Sequence, residues 1–117
     1  MFKQKNRLTK HKDFEKTFKT GRASYGKLLG VKVAKNDLEE TRFSVVAGLK
    51  VSKKAVERNR AKRQIREIIT RNLNKIVLGY DLVIICLPTI IGQDSTSIKN
   101  ELDRIFSNLR LYRNESN

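Results

Sequence analysis

The sequence predicts an α/β fold: a small two-layer α-β sandwich, with three helices packed on a mixed sheet of about four strands. Three observations carry this expectation. Apolar residues alternate with a period of two in the first half of the chain, which favours strands. Two later stretches repeat apolar residues at helical spacing. Between those stretches lies an apolar run of strand length, Leu82 to Leu87. With 117 residues the chain is expected to form one domain, 1–117, with residues 1–6 and 113–117 fraying at its ends.

Taken in order, Leu8, Phe14 and Phe18 form a sparse apolar stripe for a short first helix, which Thr9 is placed to cap and Gly21 to end. Leu29, Val31 and Val33 alternate with Gly30, Lys32 and Ala34, which reads as a strand, and Lys35-Asn36-Asp37 is a turn signal. Phe43, Val45, Ala47, Leu49 and Val51 then share one side of a second strand, expected to pair antiparallel with the first, and Gly48 marks a bulge or close approach. From about Ala55 to Lys75, the residues Ala61, Ile65, Ile68, Ile69, Leu73 and Ile76 recur at helical spacing, with Gly79 as a stop. The run Leu82 to Leu87 reads as a strand buried on both faces, flanked by strands on both sides and ended by Pro88. Ile98, Leu102, Ile105, Phe106 and Leu109 line one face of a last helix, capped by Ser95 or Ser97.

The composition narrows the function. Twenty-six Lys and Arg against twelve Asp and Glu give a formal net charge of +14, whose self-repulsion is costly unless a polyanion neutralises it. Nucleic acid is the first candidate partner. Cys86 is the only cysteine, so neither an intramolecular disulfide nor a multi-thiolate zinc site is available to the chain; within Leu82 to Leu87 it reads as a small core residue. The basic N-terminus lacks the apolar stretch of a signal peptide, and no run approaches the length of a membrane span, so a cytoplasmic location without a membrane partner is expected.

The charge is concentrated in one place. Between Lys54 and Glu67, six of fourteen residues are Lys or Arg and two are acidic. Advancing about 100° per residue from Ile65, Asn59, Arg63 and Arg66 form a stripe on one flank, Arg60 and Arg71 lie on the solvent side, and Arg58 and Lys62 fall near the buried edge. Lys50, Lys53 and Lys54 extend the patch ahead of the helix. Solvation alone could account for a few such residues. Here, however, ten Lys or Arg face two Glu between Lys50 and Lys75, so i,i+4 pairing cannot neutralise them. Cations at a helix N-terminus also oppose the macrodipole. Phosphate binding supplies the missing compensation, with Arg as a forked donor and Asn59 available to a base or ribose.

The run from Ala55 to Glu67, with Arg58-Asn59-Arg60, Lys62-Arg63 and Arg66-Glu67 at its centre, resembles the signature of the bacterial ribonuclease P protein subunit. The segment from Arg7 to Arg22 and the strand Asp81 to Pro88 resemble further parts of that family's pattern. The resemblance implies a left-handed βαβ crossover, an exception to the usual hand. It also implies a chain with no catalytic or metal-binding residues of its own, which assists a catalytic RNA in removing the 5′ leader from precursor tRNA, with Mg²⁺ entering through the RNA partner. On this reading Lys53, Lys54, Arg58, Asn59, Arg60, Lys62, Arg63 and Arg66 bind the ribonuclease P RNA. A cleft between the first helix and the sheet holds the single-stranded leader through Phe14 and Phe18, with Arg7, Lys10 and Lys32 following its phosphates. Both Phe also suit the core face of an amphipathic helix. The chain departs from the family pattern in Gly48-Leu49-Lys50 ahead of the signature and in Lys32, where an aromatic residue is common.

Two other function classes compete. A stand-alone ribonuclease using side-chain acid and base groups is disfavoured, because His11 is the only histidine and no carboxylate pair lies in a catalytic motif. A general RNA-binding or ribosomal-type protein shares the charge and size but does not require the Arg58-Asn59-Arg60 signature.

Overall fold

The computed structural model describes residues 4–113. Its helices are α1 (His11–Thr20), α2 (Ala55–Arg71) and α3 (Ser95–Asn108), and its strands are β1 (Arg22–Tyr25), β2 (Leu29–Lys35), β3 (Arg42–Val46) and β4 (Tyr80–Cys86). The strands form one mixed sheet in the order β1-β2-β4-β3, antiparallel except for the parallel β3–β4 pair. No helix among the described residues is long and apolar enough to cross a membrane.

β4 holds a central place because of its sequence. A strand without a polar face has to be covered on both sides, and Leu82, Val83 and Ile84 are all fully buried. One consequence corrects the expected pairing: β3 does not pair with β2 but lies parallel to β4, which inserts between them. The other correction concerns length. β3 ends at Val46, and Leu49 projects into solvent at 71% exposure, while Gly48 sits in a turn closed by the Val51 N–H donating to its carbonyl. No bulge forms there.

The period-two pattern divides the sheet into two faces. Leu29, Val31 and Val33 of β2, Phe43 and Val45 of β3, and Leu82, Ile84 and Cys86 of β4 join Ala61, Ile65, Ile68 and Ile69 of α2 and the Ile98, Leu102, Ile105, Phe106 and Leu109 stripe of α3 in a single core. Burying each of these large aliphatic side chains contributes about 1.5–3 kcal/mol. Cys86 lies inside this core, and burial pushes its thiol up to about 11, against the pull of Lys62 and Arg66. The opposite face carries Gly30, Lys32, Val83, Ile85, Ser44 and Val46, and α1 covers one end of it.

Several boundaries differ from expectation. Lys10, not Thr9, is the N-cap of α1, and it supplies no side-chain bond; Leu8 lies outside the helix, buried where its N–H donates to the Phe43 carbonyl at 2.9 Å. α2 ends at Arg71, and a 3-10 turn, Leu73–Lys75, completes the periodic stretch, so Gly79 (φ 87°) serves the turn into β4 and not the helix end. Asp94 caps α3, accepting from the Ser97 N–H at 2.8 Å; this backbone hydrogen bond holds its carboxyl below the usual range. Within the end expected to fray, Gln4–Asn6 forms a 3-10 turn and Asn6 is buried, donating to the Thr41 carbonyl. Arg113 is likewise tied, its N–H donating to Lys75. The remaining expected termini, 1–3 and 114–117, lie outside the described residues.

Candidate nucleic-acid interface

The basic helix begins where Ser52 organises the chain. Its hydroxyl donates to Glu57 at 2.5 Å and accepts from the Lys54 N–H at 3.1 Å, doing the work of a cap that Lys54 cannot supply. Arg58 donates back to the Ser52 carbonyl at 2.9 Å, so it is half-buried and braces the loop as well as adding charge. Asn59, Arg60 and Arg63 are exposed, Lys62 and Arg66 half-buried, and Lys53 and Lys54 exposed ahead of them. Among the described residues, no carboxylate pairs with Lys53, Lys54, Arg60, Lys62, Arg63 or Arg66. Most of the other described carboxylates have partners elsewhere, so the cations of this helix and of the loop ahead of it stay unanswered.

The second surface lies on the face that α1 partly covers. Phe14 and Phe18 are one helical turn apart and stack with ring centroids 5.0 Å apart and 29° between planes. The Lys32 ammonium sits 4.3 Å from the Phe18 ring centroid and donates to the Phe18 carbonyl at 3.3 Å. Arg42 sets the position of α1. Its guanidinium forks onto the buried Asp81 at 2.8 and 2.6 Å and reaches Asp13 of α1 at 3.2 Å. The hydrogen bond to Asp81, with the charges of both carboxylates, raises the Arg42 pKa against the effect of burial.

Lys10 is exposed beside this cleft, at the start of α1. Arg7 stands elsewhere. It bridges to Phe43 at the outer edge of β3, and a groove lined by Arg7, Thr9, Ser44 and Arg66 runs from there to α2. Arg7 therefore lies on this groove with Arg66 and not among Phe14, Phe18 and Lys32. Tyr25, Val46 and Ile85 were missed by sequence reasoning. The strand register places them on the same face as Lys32, a placement that no local pattern encodes.

Residues 2–110 match the family model described as ribonuclease P. The chain belongs to the ribonuclease P protein family. It is 38% identical over 102 residues to the ribonuclease P protein component of Synechocystis sp., covering 86% of this chain and 82% of that one. It is 34% identical over 111 residues to the ribonuclease P protein component of Fusobacterium nucleatum, covering 91% and 98%. Among solved structures, the RNase P protein of Staphylococcus aureus superposes with a TM-score of 0.84 at 24% identity, over 92% of this chain and 98% of that one. The RNase P protein from Thermotoga maritima superposes with a TM-score of 0.76 at 30% identity, over 84% and 92%. The expected α/β architecture, three helices on a four-stranded mixed sheet, is thus that of ribonuclease P proteins.

Proposed function

We propose that this ribonuclease P protein acts as one RNA-binding domain, in the cytoplasm, that assists a catalytic RNA in removing the 5′ leader of precursor tRNA. The observation that carries this reading is the basic helix. Family membership implies an RNA partner, and α2 offers cations that no carboxylate among the described residues answers. Lys53, Lys54, Asn59, Arg60, Lys62, Arg63 and Arg66, with Arg58 bracing the loop, bind the ribozyme. The Phe14 and Phe18 pair, flanked by Lys10 and Lys32, takes unpaired leader nucleotides by stacking, while Arg7 and Arg66 follow phosphates along the groove they line. The chemistry resides in the RNA, which also holds the Mg²⁺.

The test is cleavage of a 5′-extended precursor tRNA at low Mg²⁺ by the protein, by a bacterial ribonuclease P RNA, and by the two together. Cleavage by the mixture alone, releasing an intact leader, is the expected result. Cleavage by the protein alone would overturn the assignment of chemistry to the RNA, and a protein without effect on the RNA would reduce it to a general RNA binder.

A further inference from the structure

The face that α1 leaves partly open continues beyond the aromatic pair. In the register of the sheet, Ala23, Lys32, Val83 and Ser44 form one rung across the four strands, and Tyr25, Gly30, Ile85 and Val46 form the next. α1 is pinned over the far end by Arg42 and reaches the first rung through Phe18 and Lys32. The second rung is one strand repeat farther out, about 7 Å away. Val46 and Ile85 there are only half-buried, and Tyr25 is 49% exposed.

Tyr25 is not loose. Its ring lies over Gly30, where the Cβ of any other residue would collide with it. A glycine inside a strand weakens the strand, and here it creates the room that seats the ring. The adjoining hairpin tip is held from the opposite side of the sheet. Glu101 of α3 accepts the N–H groups of Lys27, Leu28 and Leu29 at 2.9, 2.6 and 2.9 Å, and the Thr89 hydroxyl donates to the Lys27 carbonyl. The exposed Lys27 ammonium forms no ion pair among the described residues. A ring supported on one side and open on the other, on a fixed tip beside a free cation, has the chemistry that stacks a base and meets its phosphate.

We propose that Tyr25 is a second stacking platform for single-stranded RNA, which extends the leader path from Phe14 and Phe18 across the sheet to the β1–β2 hairpin. The proposal rests on the leader reading above and adds to it a specificity-determining residue: affinity responds to leader nucleotides that the aromatic pair alone cannot reach. The simpler role for Tyr25 is to cover a strand glycine. Leucine would serve that role; it would not stack.

The experiment is equilibrium binding of precursor tRNAs with stepwise longer 5′ leaders to the holoenzyme reconstituted with a bacterial ribonuclease P RNA. Parent, Tyr25→Phe and Tyr25→Leu are compared, and melting of each free protein reports folding. For the parent and Tyr25→Phe, affinity should rise with leader length to the same plateau. Tyr25→Leu should match them on mature tRNA and short leaders, then reach its plateau early and bind long leaders about tenfold more weakly. Identical profiles for Phe and Leu would overturn the proposal, as would a Leu loss of equal size on mature tRNA. A parent holoenzyme indifferent to leader length would remove the leader reading along with it.

Discussion

Glu101 offers the sharpest test of how the fold holds its β1–β2 hairpin. The perturbation is Glu101→Gln, which keeps the size of the side chain and exchanges one accepting oxygen for a donor. The carboxylate is 11% exposed and accepts three consecutive backbone N–H groups. A hydrogen bond to a charged group contributes about 1.5–3 kcal/mol. The exposed Lys27 N–H can turn to water, so it adds little. Leu28 is half-buried and Leu29 fully buried, and both donate to Oε2, so a Gln that places its amide oxygen there keeps the two bonds as neutral ones, each about 1 kcal/mol weaker, while its NH₂ faces the Lys27 N–H. The expected loss is about 2 kcal/mol. For a chain of this size that corresponds to a melting temperature lower by about 8 °C, with an unchanged denaturant m-value. Amide exchange at Lys27, Leu28 and Leu29 should accelerate more than at Val83 in the central strand. A variant within about 1 kcal/mol of the parent, with those three amides still protected, would refute the reasoning.

The other predictions concern the two surfaces and the core. Replacing both Arg63 and Arg66 by Ala should weaken RNA binding and reduce the slope of log K against log salt by about 1–2, with stability changed by less than about 1 kcal/mol; an unchanged slope measured by titration at several salt concentrations removes them from the phosphate contacts. Phe14→Ala should cost the holoenzyme more of its preference for precursor over mature tRNA than the protein loses in affinity for the catalytic RNA, and equal losses in the two binding assays count against the cleft. Cys86 should resist alkylation in the folded protein, since burial holds its thiol at about 11 where 9.0 is ordinary. The unfolded thiol ionises first, so the stability it supplies is complete below pH 9 and is lost as the pH climbs through about 11. Melting of the parent and Cys86→Ala across that window checks the sign.

What could be read from the sequence was whatever a single segment decides for itself. The apolar run of β4 announced a strand covered on both faces, and the stripes of α2 and α3 named their buried residues, because periodicity reports the side that a segment turns inward. The basic flank of α2 was legible for the same reason. Strand order was not, since it depends on which strand wins the central place. Phe43 and Val45 look equally suited to pairing with β2, and only the stronger demand of β4 for two neighbours decides otherwise. Caps failed by one residue where several polar candidates adjoin, as Thr9 and Lys10 or Asp94 and Ser95 do. Tyr25 and Glu101 were invisible for a deeper reason. Each acts across the sheet, through a register or through a turn more than seventy residues away in sequence, as in the Glu101–Lys27 pair.

The central place of β4 also sets a schedule. β2 and β3 are made early but have no hydrogen-bonded ladder with one another; each waits for a strand that ends at Cys86. A chain emerging from its N-terminus has therefore completed the basic helix before there is a closed sheet to carry it. During that interval α2 is an amphipathic segment with an unburied apolar side and a cationic flank, and an RNA present then would meet this basic helix ahead of its scaffold. Synthesis, folding and recruitment of the partner can overlap in time because the strand that locks the fold is the last one delivered.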